Sequence, residues 1–440
     1  MEFTDVLSAP DLPTRFSEVR LVHDYLDAGS PGGAPIYLSL GETWSQAAPG
    51  LTQCLASPLP QHSHGYVVSQ YGLPRLQRIL RSYIPRTHGL PDKVRPGVDF
   101  EVAVACGGTR NTMSDFARLL NPREGTRFPS HQPPVALLFS PSWDYATVFA
   151  AAGYDIQHLP LSPTDSHPSL DHLREAFDRL GPSRGPAPTV LVINAQHNPT
   201  AINWRPQDVR TMIRMAITAR AAILVDDAYF AVHNPDVEPT SALRILLEEA
   251  ADSSPELPPW LAVRSMGKQF NCNGWGIGAA TGPPAVIDEL MNTVQFERSF
   301  IAAVPLQEAM SSWLEDPESD AYLIAAGQEY ANKRKHVAQF LSDRLGYPQD
   351  SYQPGECTSY LRFQVPPRYL HQPDGAAHFR TSCFQKTGVL LSLDPGNLDN
   401  MPGSTLHIKP HVRMFIGPPL PIVAEALNRL ENAGIHYDES

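Results

Sequence analysis

The residue with the most chemical potential is a lysine set among small side chains. Lys268 stands in Ser265–Met266–Gly267–Lys268, just after the apolar run Leu261–Val263. On a wet surface it would be a solvated ammonium, the usual condition of lysine. In a dry site its pKa falls and the amine becomes a nucleophile toward carbonyls. Asp226 and Asp227 close the run Ala221–Val225, with Tyr229 just beyond. Two carboxylates there could serve a ligand or cap a helix. Gly107–Gly108–Thr109–Arg110 follows Val102–Cys106 and opens a helix. Small residues at such a place let backbone N–H groups approach a phosphate, whose charge the helix dipole favours. An ordinary tight strand-to-helix turn would read the same way. Pro141–Ser142–Trp143 offers an indole that could stack on an aromatic ring or fill a core. Asn198–Pro199–Thr200 follows Thr189–Asn194 and reads as a turn.

These residues share one placement: each lies just past a short apolar run. The runs Val102–Cys106, Val135–Phe139, Thr189–Asn194, Ala221–Asp226 and Leu261–Ser265 are of strand length and rich in aliphatic or β-branched residues. Near-continuous apolar runs fit parallel strands buried on both faces. Helical spacing separates them, as in Met113, Phe116, Leu119, Leu120 and in Val209, Met212, Ile213, Ala216. Alternating strand and helix predicts an α/β domain with a mainly parallel sheet. In such a sheet, ligands bind beyond the carboxyl ends of the strands.

The remainder of the chain reads as a smaller α+β domain. A long helical region, roughly Ala302 to Leu345, precedes the strand-like segments Ser359–Val365, Gly388–Leu393 and Val412–Ile416, and a helix over Ile422–Ala433. We expect residues 1–50 to form an arm contributing to the small domain, 51–310 the large domain, and 311–440 the C-terminal small domain. The Pro-rich stretch Gly181–Pro188 reads as a loop, because strand-like sequence resumes at once.

Composition narrows the function. Of 440 residues, 42% are hydrophobic and 18% charged, which excludes a disordered chain. A net charge of −12 argues against a nucleic-acid binder, since phosphate-backbone affinity needs clustered Lys and Arg. No apolar run is long enough to span a bilayer. Met1–Ser8 carries Glu2 and Asp5 and lacks the pattern of a signal peptide. Five scattered cysteines without a C-x-x-C pair suit reduced thiols in the cytoplasm. The 44 prolines exclude a long coiled coil. His62 with His64, and His407 with His411, lack acidic or cysteine partners and read as loop or strand-edge histidines; no metal site is expected. Gly276–Ile277–Gly278 with Gly282 lacks the spacing and preceding strand of a dinucleotide loop.

In their order, these pieces resemble the class I/II aminotransferases, fold type I enzymes that use pyridoxal 5′-phosphate (PLP). The resemblance runs from about Gly41 to Arg413. It comprises Ile36–Gly41, Gly65–Tyr66 with Gly72–Leu73–Pro74, Gly107–Thr109, Ser142–Trp143, Asn198–Pro199–Thr200, Asp226 with Tyr229, Ser265 with Lys268, and Val412–Arg413. It implies that Lys268 forms the Schiff base with PLP and carries the substrate α-proton. Asp226 would pair with the pyridine nitrogen and keep it protonated, making the ring an electron sink. Tyr229 and Asn198 would bond the ring hydroxyl oxygen, and Trp143 would stack on the ring. Gly108, Thr109 and Ser265 would hold the phosphate. Tyr66 would reach the phosphate of a neighbouring subunit, which implies a homodimer. Arg413 would clamp the substrate carboxylate bidentately, beside the backbone of Gly41, with Asn198 also at the substrate. His197, next to Asn198, would stand near the cofactor or serve the turn.

The chain departs from the family at three places. Gly276 replaces a phosphate-contacting arginine, and Arg110, or less directly Arg264, is a candidate substitute. Ala201 stands where a glycine is usual, and Gly267 where a serine is common. The expected activity is transamination of an α-amino acid, with a second small-molecule substrate, in specialised metabolism. A different PLP reaction after the same α-proton removal stays open: γ-elimination or replacement (S-adenosylmethionine being one substrate class), carbon–carbon bond formation with cyclisation, or amino-acid oxidation. So does a non-catalytic PLP-binding regulatory domain, although the arm before Gly41 is short and acidic for a DNA-binding module.

Overall fold

The structure is a computed structural model that describes residues 17–39, 47–121, 133–181, 188–252, 257–298, 303–370, 372, 374–394 and 409–437. Gly41 lies outside these residues, as do His407 and all of Gly181–Pro188 except its two ends. The strands are β1 (Ile36–Leu38), β2 (Glu101–Cys106), β3 (Val135–Ser140), β4 (Asp155–Pro160), β5 (Thr189–Ile193), β6 (Ala222–Asp226), β7 (Trp260–Ser265), β8 (Ile277–Gly282), β9 (Tyr352–Gln353), β10 (Tyr360–Gln364), β11 (Val389–Leu393) and β12 (His411–Phe415).

The larger of two compact units takes Gln46–His197 and Ile202–Ala326. Its seven-stranded sheet has the order β2-β8-β7-β6-β5-β3-β4. Strands β7, β6, β5, β3 and β4 are parallel, and β8 is antiparallel to both neighbours. Two reversals restore the direction of β2, so β2, β3, β5, β6 and β7 all end at one edge. Alternate side chains enter separate cores on the two faces. Val104, Leu137, Ile193 and Val225 go to one, and Ala105, Leu138, Val192 and Leu224 to the other. Burial on both faces explains why these strands read as unbroken apolar runs rather than alternating ones.

Strand β8 departs from that pattern because its neighbours leave no room. A Cβ on Gly278 would lie 2.6 Å from the Arg264 carbonyl oxygen and 3.1 Å from Thr109 Cγ2. Small residues there admit the close approach of a strand and of the helix Thr109–Leu120. The long helical region resolves into two helices, Val304–Glu315 and Glu318–Asp343. Asp316 between them is extended (φ −81, ψ 124), as steric conflict with the Pro317 ring requires. Its carboxylate then accepts the Glu318 N–H at 2.9 Å.

The smaller unit draws on Met1–Ser45, Asn198–Ala201 and Gly327–Ser440. The chain thus enters it within the helix Glu318–Asp343. Its sheet has the order β1-β11-β12-β10-β9. Strand β1 is parallel to β11 and the other pairings are antiparallel. Val22, Tyr25, Tyr37, Phe384 and Leu390 form a core cluster on this unit.

Ala201 explains one departure from the family. It keeps the left-handed backbone that a glycine would adopt freely, with φ 59. Its carbonyl oxygen accepts the N–H groups of Glu356 and Cys357, and its methyl occupies space that Gly355 leaves open. A Cβ on Gly355 would lie 2.2 Å from that methyl. Gly355→Ala should therefore destabilise the protein by about 2–5 kcal/mol, from overpacking and a left-handed alanine. Chemical denaturation would show this as a lowered midpoint, and adding Ala201→Gly should recover part of the loss.

Candidate active site

Two adjacent parallel strands carry the central acid and the lysine. Asp226 ends β6 in register with Val263 of β7, and Lys268 lies in the short helix Met266–Phe270 that follows β7. Ser265 caps this helix, its hydroxyl oxygen accepting the Lys268 backbone N–H at 3.2 Å. The Lys268 ammonium lies 5.6 Å from the Tyr229 ring centroid, over its face. Asp226 is only 5% exposed. The Tyr145 hydroxyl donates to its Oδ2 at 2.5 Å, and the Ala228 N–H to its Oδ1 at 3.0 Å. Burial pushes the Asp226 carboxyl up, while these two donors and the Lys268 charge pull it down.

Asp227 is fully buried, and neither of its carboxyl oxygens has a hydrogen bond. Burial and the neighbouring Asp226 push it up to about 8, against the pull of Arg264. Asp227 is therefore the protonated member of the pair at neutral pH. Asp226 is also raised by burial, but its two donors and the Lys268 charge favour its charged form, which Asp227 lacks hydrogen-bond donors to support.

The Gly107–Gly108 turn between β2 and the helix Thr109–Leu120 has φ values of 78 and 88. No side chain caps this helix at Gly108, and the first amides of a helix, which have no intrahelical partner, can serve as anion donors. The Gly108 N–H itself donates to the Gly276 carbonyl oxygen at 2.8 Å. Gly276 has φ 61, and a Cβ there would lie 3.2 Å from Gly107 Cα. A side chain at 276 would be strained and pressed on the turn, which accounts for the missing arginine. Neither proposed substitute is idle. Arg110 donates to Asp144 at 2.9 Å and lies 4.3 Å from the Trp143 ring centroid. Buried Arg264 donates to Thr87 Oγ1 at 2.6 Å and Gln269 Oε1 at 3.1 Å, between the rings of Tyr83 and Phe230. Gly267 is equally constrained, since a Cβ would meet Asn273 Oδ1 at 2.5 Å.

The other expected residues lie in three places. Trp143 is partly buried, edge-on to Tyr145 at 5.1 Å. Tyr66 is 82% exposed and Val68 90%. In the smaller unit, Arg413 on β12 donates through Nη1 to Asn198 Oδ1 at 2.7 Å and through Nη2 to Ser392 Oγ at 3.4 Å. Its guanidinium lies 4.0 Å from the Tyr360 ring centroid.

Sequence reasoning missed Tyr145 and Asn194. Asn194 donates to the Asp226 carbonyl oxygen at 2.7 Å. Tyr145, Asn194, Ser142 and His197 line one small cavity in which His197 stacks on Trp204 with centroids 4.8 Å apart. The only sequence signal was proximity: Tyr145 follows Trp143 by two positions, and Asn194 ends an apolar run. Among the described residues, no group of three or more His, Cys, Asp or Glu could hold a metal, and no helix is long and apolar enough to cross a membrane.

The sequence profile described as "Aminotransferase class I and II" matches residues 130–356, about half of the chain. The chain belongs to the class I and II aminotransferase family. Among curated relatives, a probable N-succinyldiaminopimelate aminotransferase DapC of Mycobacterium tuberculosis is 26% identical over 264 residues. That match covers 58% of this chain and spans only 59% of the relative's length. A methionine aminotransferase of Escherichia coli is 22% identical over 67% of this chain and 68% of its own. Among solved structures, an aspartate aminotransferase variant of Thermus thermophilus superposes with a TM-score of 0.75 at 21% identity, covering 96% of this chain and 97% of that one. The M. tuberculosis N-succinyldiaminopimelate aminotransferase gives 0.73 at 22%, covering 97% and 99%. The fold is that of the fold type I aminotransferases.

Within this family member, the Tyr145 hydroxyl favours the charged form of Asp226. Tyr145→Phe removes that donor, so the Asp226 pKa should rise. A charge-assisted bond of about 1.5–3 kcal/mol corresponds to a shift of roughly 1–2 pH units. Carboxyl ¹³C NMR of Asp226 would measure it, and any activity that needs the carboxylate should lose its acid limb at correspondingly higher pH.

Proposed function

We propose that this protein is a PLP-dependent enzyme acting on α-amino acids, and that its reaction is transamination. The observation that carries the reading is the pairing of a buried, hydrogen-bonded Asp226 at the end of β6 with Lys268 just beyond the adjoining β7. The family match and the shared fold support it.

The residues fit the cofactor. The open helix end at Thr109 and Arg110, with the Ser265 hydroxyl, offers donors for a phosphate. Trp143 and Tyr229 offer flat apolar surface for a ring. Asp226 offers an anion for a protonated pyridine nitrogen. When bound, PLP supplies an electrophilic carbonyl and a cationic ring that takes up the electrons released at the substrate Cα. Asp226 holds the proton on the ring nitrogen. Lys268 provides the amine that fixes the cofactor and then moves the proton at the substrate Cα. Tyr229 would bond the ring hydroxyl oxygen. Arg413 orients the substrate through its carboxylate, with Asn198 and Ser392 steadying the guanidinium.

A homodimer belongs to this reading. Tyr66 and Val68 are almost fully exposed in the single chain, and Tyr66 would serve the neighbouring subunit's phosphate. Scattered cysteines without a C-x-x-C pair accord with a cytoplasmic enzyme.

The purified protein should show a visible absorption band that Lys268→Ala removes. Mixing with a set of amino acids should convert the cofactor to its pyridoxamine form, and a 2-oxo acid should restore the band. Loss of the α-proton without pyridoxamine formation would replace transamination by another PLP reaction. Absence of the band in the parent protein would overturn the PLP reading.

A further inference from the structure

The sheet of the smaller unit carries a second buried arginine directly beside Arg413. Arg362 on β10 and Arg413 on β12 are register partners on adjacent strands. They are 4% and 8% exposed. Like charges directly opposite across two strands repel, more strongly when buried. One buried carboxylate lies on the same face: Asp394, 1% exposed, just past Ser392 of β11. It pairs with Arg362 Nη1 at 3.5 Å. Arg362 Nη2 also lies 3.1 Å from His411 Nδ1, which is 2.6 Å from the Lys409 carbonyl oxygen. Burial and the Arg362 charge push the His411 imidazole down, so it adds no third positive charge to this face.

The topology makes this pairing unexpected. Strand β12 lies between β10 and β11. Arg413 pairs in register with Ser392, so Asp394 is its diagonal neighbour on the adjoining strand, within reach of a long side chain. Arg362 must reach across β12 to the same carboxylate. Yet among the described residues Arg413 has no carboxylate partner. It rests on a neutral amide, a hydroxyl and an aromatic ring, and its Nε has no hydrogen bond.

We propose that Arg362 is a positioning residue that holds Asp394 away from Arg413 and so keeps the Arg413 charge open to a carboxylate ligand. This rests on the carboxylate role of Arg413 given above. A buried carboxylate deprived of its cation takes the nearest one available. Without Arg362, Arg413 is the cation diagonal to Asp394 on the adjoining strand, and an ion pair between them would compete with the substrate.

The test uses the purified holoenzyme and 3-phenylpropionate, an unreactive monocarboxylate, with binding read by calorimetry. Arg362→Leu should weaken binding about tenfold or more, as expected for neutralising the receiving charge in a poorly solvated site. Asp394→Asn added to Arg362→Leu should restore binding to within about threefold, because no carboxylate then competes. Arg362→Lys keeps the ion pair and should bind like the parent, which holds the test open should the leucine variant fold poorly. In amino-acid turnover the Arg362→Leu defect should appear in KM rather than kcat. Unchanged binding in Arg362→Leu, or a defect that Asp394→Asn does not relieve, would overturn the proposal. Arg413→Ala is the separate control: if it leaves 3-phenylpropionate binding intact, the carboxylate reading of Arg413 falls and this inference falls with it.

Discussion

The structure depends on keeping one carboxylate charged where little water reaches it. Asp226 sits at the end of a central strand of the larger sheet, and removing an ion from water costs several kcal/mol unless polar groups take water's place. Each element around it answers that cost. The turn after β6 brings the Ala228 amide back to one oxygen, and the helix after β3 brings the Tyr145 hydroxyl to the other. The short helix after β7 adds a lysine charge within Coulombic reach. Asp227 contributes by remaining protonated, since two adjacent buried acids cannot both ionise cheaply. The parallel sheet makes this convergence possible, because its strands deliver their following residues to one edge.

The smaller unit holds a buried cation that has no carboxylate partner among the described residues. Arg413 is held by groups that steady a guanidinium without cancelling it: an amide oxygen, a hydroxyl and the face of a tyrosine. Asp226 is supported by a hydroxyl, a backbone amide and the Lys268 charge, whereas among the described residues no carboxylate partners Arg413, and the nearby Asp394 pairs with Arg362 instead.

Much of this was legible before any coordinates. The five apolar runs are all strands of the larger sheet, four of them (β3, β5, β6 and β7) paired in parallel, because burial on both faces removes polar alternation. The residues after them share one edge of the sheet because chain direction is a property of sequence order. What escaped has physical reasons. Strand β8 is built of small residues chosen for close approach, so its hydrophobic signal is faint. Strand β4 lies at the sheet edge, where partial exposure breaks the apolar run. Tyr145 acts through a single hydroxyl across 81 residues of sequence, and no local pattern encodes such a contact. Arg362 reads as one charge in a strand until register places it opposite Arg413.

The glycine at 276 ties the two ends of the proposed cofactor site together. Its left-handed backbone and its carbonyl bond to Gly108 shape the turn before the helix Thr109–Leu120, and any side chain there would be strained and in tight contact with Gly107. A charge-assisted bond to a guanidinium is worth about 1.5–3 kcal/mol, whereas a helix terminus offers an anion typically about 0.3–1 kcal/mol. A phosphate at this turn would therefore be held chiefly by backbone dipoles and hydroxyls, with less total attraction. The opposite end must then carry more of the anchoring. In the proposed site, the carboxylate of Asp226, with its two donors, and the amine of Lys268 would supply that anchoring.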